Sequence, residues 1–168
     1  MIRKGRFAAC AAVLFLLQSA VVHRFSHGPL RPDLLWAAAA FLGLEARFGP
    51  ALWGAFALGL LRDLGSCGTL GAGPLVFVPA VAGLALLQDR LLRESPWTDL
   101  ALVLLSTLAV GAASALGTWA FSQGGHLGPL AAGAAGQAAF TTALSPLLFA
   151  ALVHLGVVHG PAPLDEPA

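Results

Sequence analysis

The sequence predicts an all-α integral membrane protein, a bundle of six transmembrane helices. Of the 168 residues, 58% are hydrophobic and only 10% are charged, whereas about 25% of the residues in a typical soluble domain are charged. The charges are also segregated, so that long stretches contain no Asp, Glu, Lys or Arg. Apolar stretches near the roughly 20 residues that cross a bilayer are typical of transmembrane helices. They predict spans at about 7–22, 33–46, 50–64, 69–87, 99–121 and 130–158.

The first two helices are marked by the residues at their N-terminal ends. A basic segment precedes the first apolar stretch, a pattern shared by membrane helices and cleaved signal peptides. The only plausible cut follows Ala20, and Gln18 occupies the position where signal peptidase prefers a small residue. We therefore expect the helix to be retained, with cleavage as the alternative. Pro32 and Asp33 open the second helix, where proline needs no amide partner and a carboxylate complements the helix dipole.

The third and fourth helices are joined by a glycine-rich turn. The third helix, at 50–64, is short for a membrane span and ends on the charge pair Arg62–Asp63. A charge pair beside a membrane helix is unfavourable, so it suggests a specific role. The fourth helix contains Pro74 and Pro79, and each is expected to interrupt it by removing a backbone donor.

The last two helices are longer, and a short tail follows them. Ser95 and Pro96 fit the N-cap and the first residue of the fifth helix. The sixth helix is long enough to tilt, and Pro146 is its expected kink. The segment 160–168 is rich in proline and acidic residues, which predicts a disordered cytoplasmic tail. Residues 1–159 then form a single transmembrane domain.

The basic residues predict the orientation of the bundle. With the N-terminus inside, more of them fall on the cytoplasmic side than on the outer side, which favours two cytoplasmic termini in the bacterial inner membrane. The inner set is Arg3, Lys4, Arg6, Arg47, Arg90 and Arg93, and the outer set is Arg24, Arg31 and Arg62. The tryptophans agree, because all of them fall near predicted helix ends, as in an aromatic belt. They are Trp36, Trp53, Trp97 and Trp119.

One face of the third helix could receive another helix. Ala51, Ala55, Gly59 and Asp63 lie four residues apart and therefore share a face. Small residues allow a close approach of helices in lipid, where no hydrophobic force drives association. Asp63 would close this face at the outer interface. Alternatively, Asp63 only marks the end of the helix.

Polar and small residues form a second stripe on the sixth helix and a less complete one on the fifth. The stripes consist of Gly133, Gln137, Thr141 and Ser145, and of Ser106, Ser114 and Thr118. Hydrogen bonds across such faces stabilise helix packing. Two interpretations stay open, packing within the bundle or a groove for a small ligand or a partner helix.

An enzyme is not expected. Intramembrane hydrolases and proton-coupled carriers need acids or bases at membrane depth, and we expect none at mid-bilayer depth in this chain. No Cys/His spacing is typical of a metal site, and no glycine loop carries the lysine that binds phosphate. The formal net charge of +1 excludes a broad nucleic-acid-binding surface. Neither a cofactor nor a metal is therefore predicted.

Two short motifs stand in a fixed order in the first half of the chain. Pro32-Asp33 opens the second helix, and Gly59-Leu-Leu-Arg-Asp63 ends the third, before a small-residue turn and Leu70-Gly71. This pattern resembles the bacterial rod shape-determining protein MreD family. The length, the number of spans and the absence of a soluble domain are similar too. The resemblance is strongest from 31 to 90, whereas the last two helices match only in hydropathy.

The resemblance implies a non-enzymatic inner-membrane scaffold of the cell-elongation machinery, which builds peptidoglycan and sets cell shape. It implies a fold similar to the S-components of energy-coupling-factor transporters. The implied partners are MreC and, through it, MreB and the wall-synthesis polymerase/transpeptidase pair, with membrane lipid around the bundle and a homo-oligomer left open.

Asp33 and Asp63 match the two acids of the family, and we assign them a structural or partner-contact role. The full set of candidate residues for such a role is Asp33, Ala51, Ala55, Gly59, Asp63, Gly71, Gln137 and Thr141. The alternative function is an S-component-like subunit that binds the substrate of a vitamin transporter. The polar residues give that alternative only a thin lining, without a charge to hold an ionised vitamin.

Overall fold

The computed structural model describes residues 4–24, 32–66, 70–88, 96–121 and 127–157, and these ranges form six α-helices. The helices are α1 (Lys4–Arg24), α2 (Leu34–Glu45), α3 (Phe48–Ser66), α4 (Ala72–Gln88), α5 (Pro96–Phe121) and α6 (Leu127–His154). The prediction of an all-α chain with six helices is confirmed for these residues. The predicted tail at 160–168 lies outside them.

α2 is the central helix of the bundle. It contacts each of the other five helices, and its residues from Leu35 to Leu44 are all buried. A helix that is apolar all round is expected to be enclosed by its neighbours. α2 has only 12 residues and rises about 18 Å. It is therefore much shorter than α5 and α6, which have 26 and 28 residues.

α3 and α4 form a hairpin whose backbones touch. A Cβ atom added at Gly59 would lie 2.6 Å from the backbone nitrogen of Pro74, so only glycine fits there without a backbone shift. Ala51 and Ala55, on the same face of α3, are fully buried. The small-residue face of α3 therefore packs within the chain.

The two prolines of α4 differ in their effect. Pro74 was expected to interrupt the helix, but it lies in the first turn, where a missing N–H leaves no hydrogen bond unmade. Pro79 lies inside α4, and the helix continues through it to Gln88. The prediction that these prolines interrupt the helix is therefore wrong, for Pro74 because α4 begins later than the hydropathy suggests and for Pro79 because α4 continues through it.

α1 is tied to the bundle at both ends. Ala11 and Leu14 belong to the apolar core. At one end Arg6 Nη1 donates to the carbonyl oxygen of Leu155 at 3.2 Å. At the other end the backbone N–H of Leu35 donates to Gln18 Oε1 at 3.0 Å. α1 thus contributes both apolar and polar contacts to the fold.

Two described helices are long and apolar enough to cross a membrane. The segments are 98–116 in α5 and 132–154 in α6. Within the 18-residue apolar stretch that defines each segment, only 17% and 28% of the residues are buried inside the chain. The central helix of a soluble protein would be mostly buried, so the apolar surface of α5 and α6 faces outward.

Candidate functional site

Asp33 begins α2 and joins it to α6. Its Oδ1 accepts a hydrogen bond from the backbone N–H of Trp36 at 2.9 Å, the usual contact of an N-cap carboxylate. Its own backbone N–H donates to Thr141 Oγ1 at 3.0 Å. The residue is only 2% exposed. A single acid therefore caps one helix and contacts a second.

Arg62 connects the same acid to α3. Its Nε lies 3.2 Å from Asp33 Oδ2, and Gln137 Nε2 donates to that oxygen at 3.4 Å. The guanidinium carbon lies 5.3 Å from the centre of the Phe77 ring, in the range of a cation–π contact. We name Asp33, Arg62, Gln137 and Thr141 the Asp33 cluster. It links α2, α3 and α6 at one end of the central helix.

The Asp33 cluster lies level with the middles of the two longest helices. Thr141 is near the middle of α6, and the indole N–H of Trp36 donates at 3.0 Å to Thr107 Oγ1, near the middle of α5. The pair Asp33–Arg62 therefore lies level with the middle of the bundle, because α2 is too short to reach the ends of α5 and α6. On a topology in which α5 and α6 span the bilayer, this pair would lie at mid-depth, against the expectation from the sequence. Trp36 is fully buried, so its predicted place in an aromatic belt is also wrong.

Asp63 fixes the turn between α3 and α4. Its Oδ2 accepts from the backbone N–H of Gly71 at 2.7 Å, and the N–H of Gly73 donates to its two oxygens at 2.9 and 3.0 Å. Amides at a helix start lack partners within the helix, and a carboxylate satisfies them. Gly71 has φ +102°, a region that favours glycine. We name Asp63, Gly71 and Gly73 the Asp63 turn.

The predicted site residues thus form two groups and a packed face. Asp33 meets Gln137 and Thr141 in one group, and Asp63 meets Gly71 in the other. The remaining three, Ala51, Ala55 and Gly59, lie on the face of α3 that packs within the chain. Contact of any of the eight with a partner stays a prediction.

Sequence reasoning missed Arg62 as a partner of Asp33 and treated it only as a basic residue near a helix end. The pairing could have been inferred from the sequence, because α2 and α3 form a hairpin about the turn at Ala46–Arg47. Asp33 and Arg62 stand almost equally far from that turn along the chain. In an antiparallel pair of helices, such residues lie at the same level.

One face of α6 is only half buried beyond the Asp33 cluster. Thr141, Gln137 and Gly133 follow each other at intervals of one turn. A Cβ atom added at Gly133 would meet no other described atom within 4 Å. At this level α5 and α6 touch each other, since a Cβ atom at Gly111 would lie 3.2 Å from the Cβ of Ala134. We name the surface of Gly133 and Gln137, with Arg62 at its base, the open face.

The chemistry of the site is that of hydrogen bonding and ion pairing. No group of three or more His, Cys, Asp or Glu residues that could hold a metal ion occurs within the described ranges. The carboxylates of Asp33 and Asp63 are engaged by donors of the same chain. The arrangement can therefore fix helices relative to one another and present Arg62 and Gln137 to an occupant.

Comparison with protein families gives a match over most of the chain. The family model described as rod shape-determining protein MreD matches residues 1–122, which include Asp33, Arg62 and Asp63. No curated protein and no solved structure matches the chain. MreD proteins determine rod shape, are associated with the membrane and are not a known enzyme family. Because the match covers most of the sequence, the chain belongs to the rod shape-determining protein MreD family.

Proposed function

We propose that the protein is a multi-pass scaffold in the bacterial inner membrane that holds MreC. Through MreC it would contact MreB and the polymerase/transpeptidase pair that builds the peptidoglycan wall. The family match supports a role in shape determination. The observation that carries the scaffold role is the open face, a surface of α6 that the described chain only half buries.

The exposed apolar surface supports the multi-pass arrangement. α5 and α6 are long, apolar and mostly unburied, as helices surrounded by lipid are. α2 needs no such length, because the other helices enclose it. The distribution of basic residues favours cytoplasmic termini. In this orientation the Asp33 cluster lies within the membrane and the open face lies in its outer half.

The scaffold role needs a surface that a partner helix can approach. The small-residue face of α3 does not offer one, because α4 covers it at Gly59. The open face remains, and small residues surround Gly133 on α6 in the run from Ala131 to Gly136. Helices associate in lipid mainly through such small residues and through hydrogen bonds. Of the eight candidate residues, we propose Gln137 as a partner contact and the others as structural.

A second candidate function is an S-component-like subunit of a vitamin transporter. The Asp33 cluster favours it, because buried polar groups at the base of an open surface could orient a small ligand. The size of the described cavities does not. The groove lined by Asp99, Val103, Ser145 and Phe149 has a volume of about 160 Å³, whereas sites for such ligands occupy about 300–1,000 Å³. We therefore place the scaffold first.

Co-purification tests the proposal. A tagged full-length protein, solubilised from its native membrane in mild detergent, should bring down MreC, and depletion of the protein should turn rods into rounded cells. An unrelated tagged inner-membrane protein is the control. Recovery of the tagged protein with an ATPase pair and a tightly bound vitamin, without MreC, would contradict the scaffold role.

A further inference from the structure

We infer that the N-terminus of α2 is a carboxylate-binding site, and that the chain fills this site with the side chain of its own Asp33. In this role Asp33 is an internal ligand, which holds α2, α3 and α6 together and keeps a free carboxylate out. The inference does not rest on the binding of MreC, so either one can fail without the other.

Donors from three different helices converge on the two carboxylate oxygens of Asp33. The backbone N–H of Trp36 in α2 donates to Oδ1 at 2.9 Å. Arg62 Nε in α3 and Gln137 Nε2 in α6 lie 3.2 and 3.4 Å from Oδ2. A helix N-terminus favours an anion through its free amides and its dipole, and a guanidinium adds a full positive charge. These groups together, rather than the helix end alone, form a site for one carboxylate.

The neighbouring amides at this end of α2 are satisfied by neutral oxygens. The backbone N–H of Asp33 donates to Thr141 Oγ1 at 3.0 Å. The backbone N–H of Leu35 donates to Gln18 Oε1, also at 3.0 Å. The carboxylate position is thus the one to which Arg62 brings positive charge. In membrane transporters, the N-termini of half-helices hold the carboxylate of a substrate in a similar way, whereas here the carboxylate belongs to the chain itself.

The internal ligand closes the site to other anions. Asp33 is 2% exposed, whereas the Arg62 side chain is 22% exposed, so a small anion can approach only from the side of Arg62. A second carboxylate there would place two negative charges beside one guanidinium, which is unfavourable away from water. Only removal of the Asp33 carboxylate therefore opens the site. A vitamin carboxylate held at this helix end would first have to displace Asp33.

The test is chemical rescue of the full-length Asp33→Ala variant in detergent, with the melting temperature followed by circular dichroism. Formate has the size of the carboxylate that this variant lacks. At about ten times its dissociation constant, formate should raise the melting temperature by about 3–6 °C over chloride at equal ionic strength. The wild type should show no such shift. Asp63→Ala is the matched control and should respond less, because the Gly71 and Gly73 amides bring no cation to that carboxylate.

Two further variants show whether the anion binds in place of the lost side chain. Asp33→Gly also lacks the Cβ atom, so acetate should rescue it, whereas the methyl group of acetate would meet the Cβ of Asp33→Ala. Adding Arg62→Leu to Asp33→Ala removes the cation and should abolish the response to formate.

A response that persists in this double variant, or equal shifts in Asp33→Ala and Asp63→Ala, would overturn the inference. If Asp33→Ala does not fold in chloride, the yield of folded protein purified in formate replaces the melting temperature. A higher yield in formate than in chloride supports the site, and equal yields contradict it.

Discussion

The Asp33 cluster and the Asp63 turn both bury a carboxylate, but they satisfy it in different ways. Asp63 accepts from backbone amides 8 and 10 residues away along the chain. The partners of Asp33 include side chains of α3 and α6, and its backbone reaches Thr141, 108 residues away. The Asp63 turn is thus a local device that shapes one hairpin. The Asp33 cluster forms only when three helices assemble, so it depends on the packing of the bundle.

This difference predicts that the two sites separate stability from partner binding. Changes in the Asp63 turn should lower the stability of the hairpin and leave the affinity of the folded protein unchanged. Changes at the exposed side of the Asp33 cluster should do the reverse. Stability is measured by circular dichroism during heating in detergent, and binding by the partner retained per folded molecule.

The largest expected effect is that of Asp63→Ala. It leaves the N–H groups of Gly71 and Gly73 without their acceptor. Each buried donor left unsatisfied lowers the free energy of unfolding by about 1–3 kcal/mol. Asp63→Asn keeps one acceptor oxygen and should lose less. Equal melting temperatures for Asp63→Ala and the wild type would show that the turn does not depend on the carboxylate.

The next effect is that of Gly59→Ala, which presses a methyl group against the start of α4. The added Cβ would lie 2.6 Å from the Pro74 nitrogen, which belongs to the backbone and cannot rotate away. Overpacking of this kind destabilises a protein by about 1–3 kcal/mol. Gly83→Ala is the control, and because alanine favours helix by about 1 kcal/mol it should be neutral or stabilising. Similar melting temperatures for both variants would contradict the close α3–α4 contact.

Arg62→Lys tests the exposed side of the Asp33 cluster. Lysine keeps the positive charge near Asp33 but loses the planar fork of Nη donors. We expect the stability to change little, because the ammonium keeps the charge that pairs with Asp33, while the retained partner falls severalfold. A loss of stability with unchanged partner retention would assign Arg62 to the fold alone.

The last effect, on stability alone, is that of Trp36→Phe. It removes the indole donor to Thr107 Oγ1, a hydroxyl that still donates to the carbonyl oxygen of Val103. One such hydrogen bond contributes about 0.5–1.5 kcal/mol. Trp53→Phe is the matched control, because Trp53 is 75% exposed and should tolerate the change. An equal loss in both variants would contradict the central place of Trp36.

Much of the fold could be predicted because charge-free stretches identify helices directly. The importance of Asp63 and Gly71 was also within reach, since both lie in one short stretch of sequence. The pairing of Asp33 with Arg62 was not predicted, although the short link between α2 and α3 makes the two helices neighbours. The enclosed position of α2 was hidden for a different reason. An apolar helix surrounded by protein has the same composition as one surrounded by lipid.

The short central helix has a consequence for how the chain is made. On the proposed topology, a segment of 12 residues is well below the roughly 20 that the insertion machinery accepts as an independent span. We therefore expect α2 to enter the bilayer together with α3 as a helical hairpin. The same step would carry Asp33 and Arg62 into the membrane as a neutral pair. Their contact would then serve biogenesis before it serves the finished protein.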